Sequence, residues 1–156
     1  MIIETLDKED IFLIHQQTIE EFGGELGHFD NTDGKVQSIL SQQYPSFGYE
    51  KYPTIFNKAS MLMYFFIKGH CFRDGNKRVG LTVAKVFLGI NGIELDLTNE
   101  QAIQLTLGIA SCTYGKWQGN CQALACAEYS VRNIQIDKFI FEDLTSILED
   151  NSYYEE

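Results

Sequence analysis

Two apolar segments separated by one strongly polar stretch constrain this chain more than any other feature. Met61 to Ile67 (Met-Leu-Met-Tyr-Phe-Phe-Ile) is apolar on every side, while Val79, Val83, Val86, Phe87 and Ile90 recur at the spacing of one helix face. Between them runs His70-Cys71-Phe72-Arg73-Asp74-Gly75-Asn76-Lys77-Arg78. Two buried helices are predicted, and the polar loop that joins them is pinned by the core at both ends. A chain of 156 residues is long enough for one domain with a sizeable core, and no second domain is expected.

The loop carries chemistry as well as shape. Gly75 is placed to open the second helix, with Asn76, Lys77 and Arg78 in its first turn, where backbone N–H groups lack intrahelical partners and the dipole is positive. Such a turn binds anions. Lys77 adds a point charge and Arg78 a planar fork suited to phosphate oxygens, and cations at a helix N-terminus are unfavourable unless an anion meets them. Asp74, just ahead, is positioned either to hold Mg²⁺ against phosphate oxygens or to cap the helix with its side chain. His70 supplies an imidazole, which at neutral pH can take a proton from an attacking hydroxyl. Taken alone, that histidine reads more readily as a C-terminal helix cap or a satisfied core residue than as a catalytic one. Phe72 alternates with the polar positions and is expected to point inward as the loop's anchor.

These residues resemble the active loop of the Fic/Doc family, His-x-Phe-x-(Asp/Glu/Asn)-(Gly/Ala)-Asn-(Gly/Lys)-Arg, and every defined position is met. The resemblance runs from Ile11-Phe12-Leu13-Ile14-His15 through Gly23-Gly24 to Phe87-Leu88-Gly89-Ile90-Asn91-Gly92, and thins out after Gly115. Members that transfer AMP carry Gly where this chain has Lys77, and a second Arg where it has Leu81; the combination here is similar to the Doc (death-on-curing) branch.

The resemblance implies an all-α, single-domain helical bundle with the active loop between two central helices and a short flap. It implies a toxin of a type II toxin–antitoxin module that moves the γ-phosphate of ATP, or of another nucleoside triphosphate, to a Ser/Thr hydroxyl of a host protein. Elongation factor Tu is the candidate target and a Phd-type antitoxin the expected partner. Carried over by residue, His70 would deprotonate the target hydroxyl, Asp74 would hold Mg²⁺, and Gly75, Asn76, Lys77 and Arg78 would bind phosphates, with Phe72 structural. The flap tip would be Gly27-His28-Phe29-Asp30, with Gly27 and His28 docking the target, although His28 also reads as a solvent-facing loop residue. The competing functions are AMP transfer and a non-catalytic module in which the loop is only an anion site.

Composition narrows the partners. A formal net charge of −10 opposes direct nucleic-acid binding and leaves only a local basic patch at Lys77 and Arg78. No apolar run approaches a membrane span, and Met1-Ile2-Ile3-Glu4-Thr5-Leu6-Asp7 lacks the regions of a signal peptide, so a cytoplasmic protein is expected. Cys71, Cys112, Cys121 and Cys126 show neither CxxC spacing nor histidine partners for zinc, which predicts buried reduced thiols.

Along the chain, Asp7 with Asp10 predicts an N-terminal cap, Leu6 and Ile11 a hydrophobic staple, and the helix they open should end near Phe22 at Gly23-Gly24. Gly23 to Gly34 reads as a loop or short hairpin, followed by a short helix from Lys35 to Gln43. A turn-rich passage with Pro45, Gly48 and Pro53 carries Tyr44, Phe47, Tyr49 and Tyr52, read as a packed loop in preference to a partner groove. After the central helices, Asn91-Gly92 is a stop, Ile93, Leu95 and Leu97 form a brief extended link, and Thr98 with Gln101 forms a capping box. Further helices are predicted over Gln101 to Thr113, Asn120 to Arg132, and Asp137 to Glu149, the last with Ile140, Phe141, Leu144, Ile147 and Leu148 inward. Residues 1–131 are assigned to the Fic/Doc domain, and 132–156 to a C-terminal helix and acidic tail packed on it. Thr145-Ser146-Ile147-Leu148-Glu149-Asp150 nearly matches an inhibitory motif, (Ser/Thr)-x-x-x-Glu-(Gly/Asn), of some Fic proteins. Its glutamate would pair with the second Arg, which is Leu81 here, so autoinhibition is not expected.

Overall fold

A computed structural model describes residues 2–111 and 144–155. Its axis is α3 (Ile55–Lys68), in which Met61, Leu62, Met63, Tyr64 and Phe66 are all fully buried. A helix apolar all round must be covered all round. Around it lie α1 (Lys8–Phe22), α2 (Thr32–Ser41), α4 (Asn76–Ile90) and α5 (Asn99–Ser111), with residues 144–150 also helical. The protein is mostly helical, as the sequence predicts. No described helix is long and apolar enough to cross a membrane.

α3 and α4 form the closest pair, and Gly80 permits it. A Cβ on Gly80 would lie 2.5 Å from Ile67 Cγ1 and 2.9 Å from the Met63 carbonyl oxygen. Gly80→Val is therefore expected to cost about 1–3 kcal/mol by overpacking. Urea unfolding checks this: the midpoint should fall with an unchanged slope, and an unchanged midpoint would mean that the helices separate at no cost.

Local signals set the helix ends. The Asp7 carboxylate accepts from Asp10 N (3.0 Å) and the Asp10 carboxylate from Asp7 N (2.9 Å), a reciprocal capping box. Thr98 and Gln101 form another, at 2.9 and 3.1 Å, although the helix already begins at Asn99. Thr54 and Asn57 close a third at the start of α3. α2 departs from expectation, starting at Thr32 instead of Lys35 and ending at Ser41. The Thr32 hydroxyl is buried, accepts from Phe29 N (2.8 Å) and donates to the Cys71 carbonyl, so a tie to the polar loop starts the helix early. At the other end Gln43 is buried and braces Leu6, accepting from its N–H (3.1 Å) and donating to its carbonyl (3.0 Å).

The passage after α2 is anchored by a buried lysine. Lys58, 3% exposed, donates to the carbonyls of Gln43 (2.9 Å) and Tyr52 (2.7 Å) and pairs with Glu50. The packed aromatic cluster expected here is not found: Tyr52 is buried, but Tyr44 and Tyr49 are exposed and Phe47 stands clear at the tip of the Ser46–Tyr49 turn. The turn needs left-handed backbone at Phe47 (φ 49) and Gly48 (φ 76), and that geometry turns the ring outward.

The extended link after α4 is a strand. β1 (Ile93–Leu95) pairs antiparallel with β2 (Ser152–Tyr154), Ile93 opposite Tyr154 and Leu95 opposite Ser152, so the expected acidic tail supplies a strand. Leu144 and Leu148 join the common core, and Thr145 Oγ1 lies 3.0 Å from Ser60 Oγ near the start of α3. Glu149 thus sits beside the first turns of α3 and the strand that follows α4. The polar loop is at the other end of both helices, roughly 20 Å away along α4 at 1.5 Å per residue. Leu81, partly buried, packs against the core. The predicted Asn120–Arg132 helix, Ile140, Phe141 and Cys112, Cys121 and Cys126 lie outside the described residues.

Candidate active site

The loop begins where Gly69 N closes α3 on the Phe65 carbonyl (2.7 Å) and Lys35 Nζ donates to the Gly69 and His70 carbonyls (3.0 and 3.4 Å). His70 then adopts φ 46, a left-handed conformation that costs a non-glycine residue roughly 1–2 kcal/mol. This turn leaves the imidazole on the surface, without a hydrogen bond among the described residues, and sends Cys71 and Phe72 into the core. His70 is therefore neither a core histidine nor a side-chain cap. Burial pushes the Cys71 thiol up to about 11, which makes it a packing residue and not a nucleophile at neutral pH.

Phe72, 1% exposed, is the anchor that its alternation predicts. Its ring stacks on His15 at 3.8 Å and 11° and meets Phe12 edge-on at 6.0 Å. The Asn76 side chain braces it from behind, accepting from Phe72 N (3.1 Å) and donating to Phe72 O (2.8 Å). The Asn76 amide side chain is thus spent on the loop, and only its backbone N–H faces the helix N-terminus.

Asp74 does not cap α4. The N-cap is Gly75, left-handed at φ 82 with no side-chain cap, and a Cβ there would crowd Ile19 of α1 at 3.2 Å. The Asp74 carboxylate instead accepts from Gly75 N (2.8 Å) and from Glu25 N in the flap (3.2 Å). The N–H groups of Asn76, Lys77 and Arg78 consequently have no hydrogen-bond partner among the described residues. They lie at the positive end of α4, in a first turn that also carries the exposed Lys77. The Arg78 guanidinium lies over the Phe22 ring at 4.5 Å, at the end of α1.

This donor set suits a phosphate, and the carboxylate beside it suits magnesium. Each Asp74 oxygen keeps a lone pair free after its backbone bond. Mg²⁺ commonly takes one or two carboxylates and completes its shell with phosphate oxygens and water. Among the described residues no cluster of metal-ligating side chains would hold a cation unaided.

The segment expected as a flap lies directly on this loop. His28 forms an antiparallel bridge with Phe72, and Gly27 O accepts from Arg73 N (3.2 Å). The His28 ring sits 5.0 Å from Phe12 and 5.5 Å from Phe72, at the edge of the stack, and the residue is exposed, as a solvent-facing loop residue would be.

His15 is the residue that the motif does not identify. It is fully buried, its Nε2 is 3.1 Å from the Asp74 carbonyl oxygen, and its Nδ1 has no partner. Because a carbonyl can only accept, Nε2 carries the proton. Its available signal was helical spacing, which puts it with Ile11, Ile14, Thr18 and Ile19 on the buried face of α1.

Burial, with a smaller contribution from the nearby His28, holds the His15 pKa below the ordinary 6.5, against the opposing pull of the Asp74 carbonyl. Below about pH 6.5 the unfolded chain takes up a proton that the folded state refuses. Stability therefore falls with pH until the lowered folded pKa is reached. His15→Phe keeps the stack and removes the titration. Thermal midpoints between about pH 7.5 and 5.5 should drop more steeply in the wild type than in the variant, and equal slopes would contradict this.

The Fic/DOC family model matches residues 5–88, which spans the flap, the loop, α3 and all but the end of α4. Protein kinase doc of Escherichia phage P1 is 29% identical over 106 residues, covering 68% of this chain and 82% of that protein. Toxin Doc of Mycolicibacterium smegmatis is 34% identical over 110 residues, covering 64% of this chain and 81% of that protein.

Proposed function

The chain belongs to the Fic/DOC family, and from that premise we propose that it is a Doc-type toxin that transfers the terminal phosphate of ATP, or of another nucleoside triphosphate, to a Ser/Thr hydroxyl of a host protein. The observation that carries the reading is the open N-terminus of α4, where the amides of Asn76, Lys77 and Arg78 have no partner among the described residues and the first turn carries two exposed cations, Lys77 and Arg78. Phosphoryl transfer asks a protein mainly for positioning and charge stabilisation, and this loop is built for both.

In the proposed step His70 accepts the proton of the target hydroxyl, whose oxygen bonds the γ-phosphorus as the bond to the β–γ bridging oxygen breaks and the nucleoside diphosphate leaves. The first-turn amides of α4 hold phosphate oxygens, with Gly75, whose N–H is engaged by Asp74, shaping the turn, and with Lys77, and Arg78 once it turns from Phe22, neutralising charge. Asp74 would hold Mg²⁺, which when bound screens the phosphates. Gly27 and His28 would dock the target chain along the flap. Leu81, packed against the core, supplies no second guanidinium of the kind that AMP transfer requires, so the γ-phosphate reading is preferred.

Elongation factor Tu is the proposed target and a Phd-type antitoxin the proposed partner, both in the cytoplasm. Incubation with γ-labelled ATP, Mg²⁺ and purified elongation factor Tu should place label on a serine or threonine. ATP binding without label on any protein of a host lysate would favour the non-catalytic anion module instead.

A further inference from the structure

We infer that Arg73 is a positioning residue for the protein substrate, which latches the Gly27–Phe29 flap onto the active loop and so presets the edge on which that substrate docks. Position 73 is undefined in the loop pattern, so membership of the family assigns it no role. A surface arginine is ordinarily a solvated charge. Here an exposed residue grips successive flap residues with different parts of itself.

Its backbone N–H donates to Gly27 O at 3.2 Å, and its Nε–H donates to His28 O at 3.3 Å. Its guanidinium plane covers the Phe29 ring at 4.8 Å. Its stem lies on Gly27 so closely that a Cβ there would stand 2.4 Å from Arg73 Cδ. Lysine could reproduce the charge but neither the Nε–H nor the planar face.

The flap's other ties lie at its ends and at the His28 ring. It enters through Gly23 and Gly24, both at positive φ; Glu25 N donates to Asp74 at 3.2 Å, Phe29 N to Thr32 Oγ1 at 2.8 Å and Thr32 N to Phe29 O at 3.1 Å, and the His28 ring meets Phe12 at 5.0 Å beside the His28–Phe72 bridge. The bridge leaves His28 N–H without a partner among the described residues, on the edge away from the loop. An extended substrate segment can add to such an edge through its main chain, and the addition is cheaper when the edge is already ordered.

That a protein substrate docks there rests on the phosphoryl-transfer reading; the latch itself does not. The test compares wild type, Arg73→Ala and Arg73→Lys in the full chain. NMR-detected hydrogen exchange of the amides at positions 29 and 73, without nucleotide or target, reads the latch. Arg73→Ala should speed both by about tenfold or more, with only partial recovery in Arg73→Lys. Steady-state transfer to elongation factor Tu then reads its purpose: KM for the protein should rise about tenfold while kcat and KM for ATP stay within about twofold.

Unchanged exchange in Arg73→Ala overturns the latch. Faster exchange with an unchanged protein KM overturns the docking role, as does a loss confined to kcat or to the KM for ATP. If the wild type labels no protein, the phosphoryl-transfer reading fails separately, and the latch stands or falls on exchange alone.

Discussion

His70→Ala is expected to abolish growth arrest and phosphoryl transfer while leaving the fold intact. The imidazole is exposed and makes no hydrogen bond among the described residues, so its removal takes nothing from the core. The unusual backbone at φ 46 is shared by any residue with a side chain, and alanine bears it about as histidine does. What is lost is the group proposed to take the target proton, and losing a general base typically costs roughly a hundred- to ten-thousand-fold in rate. Circular dichroism and the thermal midpoint should match the wild type, with kcat/KM for transfer down by that factor. A folded His70→Ala protein with undiminished transfer would remove His70 from the mechanism.

Lys77→Gly should cut transfer by about a hundred- to a thousand-fold, the usual effect of deleting one preorganised donor to developing negative charge. The ammonium has no protein partner among the described residues, and Lys77 lies in the first turn of α4, where a cation is unfavourable until an anion arrives. Its removal therefore costs the empty protein little. Glycine in a first helical turn loses at most about 1 kcal/mol, partly offset by relief of repulsion with Arg78. The thermal midpoint should move by a few degrees or less, and Lys77→Ala should behave alike. Equal transfer in all three proteins would take phosphate binding away from this side chain. Gain of AMP transfer is not expected, because Leu81 still contributes packing and no charge.

Both expectations rest on features legible in the sequence before any coordinates, and the reason is that they are local. The all-round apolarity of Met61 to Ile67 demanded a covered helix, the Asp7–Asp10 and Thr98–Gln101 pairs announced their caps by spacing, and the loop pattern declared itself within one turn of chain. The sequence reading stops where a side chain from one element meets the backbone of another distant in the chain. Nothing near Thr32 shows that its hydroxyl will bond Cys71 O, and nothing near His15 shows that Asp74 will offer it a carbonyl. At Asp74 local logic left two roles open, an N-cap and a metal ligand, because residue type and position fit both. The left-handed Gly75 took the N-cap place and turned the carboxylate toward Glu25. β2 was missed for the same reason: a three-residue strand has no identity without its partner, and that partner, β1, is far back in the chain.

Whether this loop presents a terminal phosphate to a protein hydroxyl is tested most directly by the intact mass of the target after incubation with wild-type protein, ATP and Mg²⁺. An increment of one phosphate on elongation factor Tu is expected, absent with His70→Ala, with label arriving from the γ-position of ATP. An increment of AMP, or label arriving from the α-phosphate, would contradict the phosphoryl-transfer reading.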